Sequence, residues 1–155
     1  MSIENVREYF KKWNLENKIL EFSASSATVA LAAEALQCEE KRIAKTLAFS
    51  VNDKAVLVVT AGDAKIDNAK YKAAFQKKTK MLSSDELSEK IGHQAGGVCP
   101  FGIKEGVEVY LDESLKRFET VFPACGSANS AIELSIPCLE KYSASNGWVD
   151  ICKGW

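Results

Sequence analysis

The sequence predicts an α+β fold with a largely antiparallel or barrel-like sheet, and three observations carry that expectation. Strand-like runs outnumber helical ones and follow each other mostly in hairpin order. Two of them, Ile43 to Val51 and Ala55 to Thr60, flank Asn52-Asp53-Lys54 as the arms of a hairpin. The composition, 155 residues with 46% hydrophobic and 26% charged, is that of one soluble domain over residues 1–155, with no repeat, low-complexity stretch or linker to divide it.

Taken in order, Ile3, Val6, Tyr9, Phe10 and Trp13 recur at helical spacing behind Ser2 as an N-cap, which predicts an amphipathic helix from Ser2 to Trp13. Ile19 to Phe22 reads as a short strand and Ser23 to Thr28 as a loop. Thr28 to Leu36 is alanine-rich with Val29, Ala32 and Leu36 on one face, a helix that packs closely on a sheet. After the hairpin, a helix is expected from Asn68 to Phe75. Another opens at Ser83, where Glu86 completes a capping box. Strands follow at Val107 to Leu111, Glu119 to Pro123 and Ala131 to Ile136, then a short helix from Pro137 to Ser143 and a last strand from Trp148 to Ile151.

Composition removes several classes of function. The five cysteines include no C-x-x-C pair and His93 is the only histidine, which speaks against a zinc site and against a disulfide framework. No apolar run is long enough to span a bilayer and Met1-Ser2-Ile3-Glu4 starts no signal sequence, so the reading is a cytoplasmic protein with reduced thiols, no membrane partner, no metal and no cofactor. A net charge of −1 excludes coating of nucleic acid by bulk charge. Between Lys65 and Lys80, however, six lysines face one acid, a local charge of +5. That run is either a solvated helix face or a polyanion contact, with Lys70, Lys72, Lys77 and Lys78 as its candidates.

Chemistry concentrates in Gly96-Gly97-Val98-Cys99-Pro100-Phe101-Gly102. Three glycines and a proline force a sharp turn, and bare backbone there can present N–H groups to an anion or a polarised carbonyl. The alternative is a tight loop that pins two strands. Lys45 falls on the apolar face of its strand with Ile43, Leu47, Phe49 and Val51. It needs a polar destination for its ammonium, or it precedes the strand proper and reaches water. A second small-residue loop runs from Ala124 to Ser130.

Together the segments Thr28 to Ala35, Ile43 to Phe49, Gly62-Asp63, Gly96 to Gly102, Tyr110 to Leu115 and Gly126 to Leu134 resemble, in order and spacing, the YbaK/prolyl-tRNA synthetase-associated editing domain family over essentially the whole chain. The resemblance implies a compact α+β domain whose mixed, mostly antiparallel sheet curls toward a barrel with helices around it. It implies hydrolysis in trans of the ester joining a wrong amino acid to the acceptor end of a tRNA, usually tRNA for proline, with prolyl-tRNA synthetase as a possible partner. Lys45 matches the family's lysine, and Gly97 and Gly102 would supply oxyanion donors. Thr28, Thr46, Val98, Cys99, Pro100, Phe101, Gly126, Ser127 and Asn129 would contact substrate. His93 is then a structural or rim residue, with a base as the alternative. The second loop lacks the Ser-Gly-Gly and aspartate of the cysteine-removing branch and the histidine of the alanine-removing branch, so alanine, cysteine, serine or a near relative all stay open. A binding module that hydrolyses nothing, or a sensor of a free amino acid, are the competing classes.

Overall fold

Helix α1 (Ser2–Phe10) begins the chain in the computed structural model, which describes residues 2–155; capping by the Ser2 side chain lies outside what is described. The helix buries Val6 and Phe10 completely, and the expected stretch to Trp13 finishes as a 3-10 turn, closed by Asn14 in the left-handed conformation. Strand β1 (Leu20–Glu21) is followed by α2 (Val29–Leu36), whose Thr28 Oγ1 accepts the Leu31 N–H at 3.2 Å. Ala32 and Ala33 of α2 pack on Ile43, which is the close approach that small residues permit.

Strands β2 (Ile43–Val51) and β3 (Lys54–Ala61) form the hairpin in full register from Ala44↔Ala61 to Val51↔Lys54. Only Asn52 and Asp53 lie in its turn, both with positive φ (52° and 64°), the primed two-residue turn that matches strand twist. β3 is buried along almost all its length, as a strand covered on both faces must be. Then come β4 (Lys65–Ile66) and α3 (Asn68–Phe75), which is capped by Asp67, and α4 (Ser84–Glu86) with the expected capping box. A π-helical turn (Leu87–Ile91) ends at Gly92, and the glycine-rich stretch beyond it has no regular structure.

The second half supplies β5 (Glu108–Asp112), a 3-10 turn (Glu113–Arg117), β6 (Thr120–Pro123), β7 (Ser130–Ala131), β8 (Leu134–Ser135), α5 (Ile136–Tyr142), β9 (Trp148–Val149) and β10 (Cys152–Lys153). The main sheet runs β8-β6-β2-β3-β5-β9 and curls into a half-barrel, with helices around it. The fold is therefore the mixed α+β one expected. The hairpin and β6–β8 are antiparallel, while β6 joins β2, β5 joins β3, and β9 joins β5 in parallel.

Two expected strands divide where the chain changes partner. Ala131 to Ile136 becomes β7, paired with β1, and β8, paired with β6, with Ile132 turned into the core between them. Trp148 to Ile151 yields β9 on β5. The chain then turns at Asp150, and β10 pairs with β4.

Candidate functional site

A cleft of about 240 Å³ lies where α2, β2 and the two small-residue loops meet. It is lined by β2 from Ile43 to Ala48, by Ser26 to Val29 with Ala32, and by Ala95, Gly96 and Val98, where Gly96 lies against Ala27: a Cβ on it would stand 3.0 Å from the Ala27 Cβ. Leu82 and Leu87 close one end, with Met81 half exposed at the mouth (53%). The surface is largely apolar, so its few polar groups stand out.

Lys45 is the cation of the cleft. Its Nζ donates to the Ala64 carbonyl at 2.5 Å, which is the polar destination that its place on the strand demanded. Desolvation by burial pushes its pKa down, partly opposed by the Cys152 sulfur and the Asp63 carboxylate nearby. Thr46 Oγ1 is buried with no hydrogen-bond partner among the described residues, and Thr46 lines the cleft. Thr28 also lines the cleft, with its hydroxyl engaged as the α2 cap.

The two loops are pressed together. A Cβ on Gly97 would stand 2.6 Å from the Ser127 nitrogen, so only glycine permits the contact. Gly97, Gly126 and Ser127 line a smaller hollow of about 150 Å³ that shares Ala95 with the cleft. Ser127 Oγ donates to Ser130 Oγ at 2.7 Å, and Asn129 Nδ2 donates to the Phe22 carbonyl at 2.9 Å, so these side chains bind the second loop to itself and to the segment after β1.

Several residues expected at the site have other work. Cys99, Pro100 and Phe101 are buried and line no part of the cleft; Phe101 packs on Phe10 with ring centroids 4.8 Å apart. Gly102, at φ 61°, lies under α1, where a Cβ would meet the Asn5 carbonyl at 2.9 Å. The Gly97 N–H is spent on the Gln94 carbonyl at 3.1 Å. Gly96 and Val98, by contrast, line the cleft with N–H groups that donate to nothing among the described residues. His93 is fully buried, with Nε2 2.7 Å from the Phe101 carbonyl and 3.5 Å from Cys99 Sγ, and desolvation pushes its pKa down. It lines no part of the cleft, and its Nδ1 is buried with no hydrogen-bond partner among the described residues.

Of the lysines, Lys70 is held by Asp150 Oδ1 at 3.1 Å and the Cys152 carbonyl at 2.9 Å. Lys72, Lys77 and Lys78 are exposed. The segment that carries them reaches the site: Ser50 donates to the Lys80 carbonyl at 2.8 Å and Leu82 to the Ala48 carbonyl at 3.0 Å, which docks it on β2 and delivers Met81 and Leu82 to the cleft. Those two residues and Leu87 escaped the sequence reading. Only the capping box just after them hinted that this stretch is ordered.

Fold and site together define a small α+β domain whose apolar cleft holds one lysine and free backbone N–H groups. The chain belongs to the aminoacyl-tRNA editing domain family, whose profile matches residues 23–142. The uncharacterized protein YwhH of Bacillus subtilis (strain 168) is 54% identical over 100% of this chain and 99% of its own length. The proline–tRNA ligase of Halalkalibacterium halodurans is 29% identical over 75% of the chain, which spans only 20% of that enzyme. The crystal structure of a candidate trans-editing enzyme for prolyl tRNA synthetase superposes with a TM-score of 0.88 at 25% identity, covering 99% of this chain and 98% of the other.

Proposed function

We propose that this domain hydrolyses, in trans and without a cofactor, the ester of a mischarged aminoacyl-tRNA, foremost tRNA for proline carrying a small wrong amino acid such as alanine, cysteine or serine. The observation that carries the reading is that Lys45 and the free N–H groups of Gly96 and Val98 belong to one apolar cleft. An aminoacyl ester is already activated, so its hydrolysis needs a positioned water and donors for the developing oxyanion, and neither metal nor strong nucleophile.

In this reading Lys45 exchanges the Ala64 carbonyl for the ribose or phosphate of the terminal adenosine, and Thr46 offers its unpartnered hydroxyl to the substrate. Gly96 and Val98 receive the oxyanion, while Gly97 keeps the two loops in contact. Lys72, Lys77 and Lys78 meet phosphates of the acceptor end. The Cys99 thiol, pushed up to about 12 by burial, stays protonated and leaves attack to water. Prolyl-tRNA synthetase is the partner this activity calls for, and the cytoplasm its place.

The test is a panel of mischarged tRNAs. The parent protein should deacylate at least one, and Lys45→Ala should lose roughly 10²-fold or more, the order that one positioning or charge-stabilising group supplies. Folded protein that leaves the whole panel intact overturns the reading.

A further inference from the structure

Lys45 does not choose its resting place freely. The carbonyl that holds it belongs to the tight turn Ala61-Gly62-Asp63-Ala64, closed by the Ala64 N–H on the Ala61 carbonyl at 3.1 Å. The turn is wedged beneath the segment before β2, since a Cβ on Gly62 would stand 2.0 Å from the Glu40 carbonyl oxygen. Its outer side is gripped by Arg117. Nη1 donates to Asp63 Oδ2 at 3.0 Å and Nη2 to Oδ1 at 2.6 Å, a two-pronged fork. The same arginine is itself fixed, with Nε on the Ser114 carbonyl at 2.9 Å and its guanidinium 4.9 Å from the Trp155 ring and 4.7 Å from the Phe118 ring. Buried Ser114 returns to the turn, accepting the Ala61 N–H at 3.1 Å.

We propose that Arg117 is a positioning residue for the Lys45 ammonium, acting through the Asp63 carboxylate and the Ala64 carbonyl; this rests on the proposed meeting of Lys45 with substrate. A lysine stem has wide rotamer freedom, and a small cleft tolerates little error in where its charge sits. A carbonyl anchored from behind keeps the ammonium at one spot, a single hydrogen bond away from the substrate. A surface ion pair of ordinary kind would contribute little, whereas a planar fork locked by two rings carries geometry.

The test needs a readout of Lys45 itself. Trace acetylation of the whole folded chain with acetic anhydride, followed by peptide mass spectrometry, gives the labelling of Lys45 relative to exposed Lys72. Arg117→Ala should raise that ratio several-fold, and Asp63→Asn, which keeps the side chain's size, should raise it too. Deacylation by Arg117→Ala should fall roughly 10- to 100-fold, in kcat more than KM, with Arg117→Lys rescuing little because an ammonium cannot make the fork. In a Lys45→Ala background the same change should cost nothing more. An unchanged labelling ratio in both variants, or effects that add in the double variant, overturns the proposal. If the parent hydrolyses no mischarged tRNA, the proposed function falls, and the labelling ratio still decides whether Arg117 holds Lys45.

Discussion

Gly97→Ala adds one methyl group at the point where the two loops touch. That methyl would stand 2.6 Å from the Ser127 nitrogen and 2.8 Å from the Gly126 carbonyl carbon. Both are backbone atoms, so no side chain can rotate to make room. Ordinary contact begins at 3.4 Å, and the loops must therefore part by about 0.8 Å. Overpacking of this kind costs about 1–3 kcal/mol. In a chain of this size each kcal/mol lowers the melting temperature by roughly 2–4 °C. The same displacement carries Val98 and its N–H away from the position they hold over the cleft, and an error near 1 Å in a positioned reaction costs about 10²-fold in rate. Calorimetric melting and deacylation of the best substrate on the panel measure the two effects separately. A variant that melts within about a degree of the parent refutes the tight loop contact. One that melts lower but hydrolyses at the parent rate refutes the claim that loop spacing matters to chemistry.

Burial holds the His93 imidazole below its ordinary pKa of 6.5, so the folded protein declines a proton that the unfolded chain accepts. Stability is whole above about pH 6.5 and falls as the pH drops below it, and His93→Gln should flatten the melting temperature between about pH 7 and pH 5. Cys99→Ala should keep most of the hydrolytic rate, because a thiol raised to about 12 supplies no thiolate at neutral pH; a trapped acyl-enzyme on Cys99 would reverse that assignment. Joint reversal of the exposed pair, Lys72→Glu with Lys77→Glu, should raise KM at nearly constant kcat and reduce the salt slope by about 0.7–0.9 for each phosphate that is no longer neutralised. An unchanged KM removes the segment from the tRNA footprint.

What could be read in advance follows the range of the interaction involved. The β2–β3 hairpin, the capping box at Ser83 and Glu86, and helices α2 and α3 depend on neighbours within a few residues, and each formed where the pattern placed it. The parallel additions of β5 and β6 to that hairpin depend on segments far away in the chain, and hairpin order alone gives no sign of them. The site divides in the same way. Lys45, Thr46 and Val98 do line the cleft. Cys99, Phe101 and Gly102 sit in the same motif, but motif spacing does not say which way a loop residue faces. Packing against α1 draws Phe101 and Gly102 inward, and that helix lies nearly a hundred residues away. Leu82 and Leu87 were missed for the complementary reason: nothing local marks an aliphatic residue as a cleft wall rather than core.

The order of strands in the sheet also shapes how the chain comes off the ribosome. When the hairpin has emerged, both its edges are open: Val56 awaits Glu108, and Ile43 awaits Phe122. Throughout that interval a nearly all-apolar β3 displays unpaired N–H and C=O groups to its surroundings, a template for pairing with another nascent copy. Closing it requires long loops, which slows folding. The primed turn at Asn52 and Asp53 lets the hairpin close locally, so its open edges must wait for strands that follow much later in the chain.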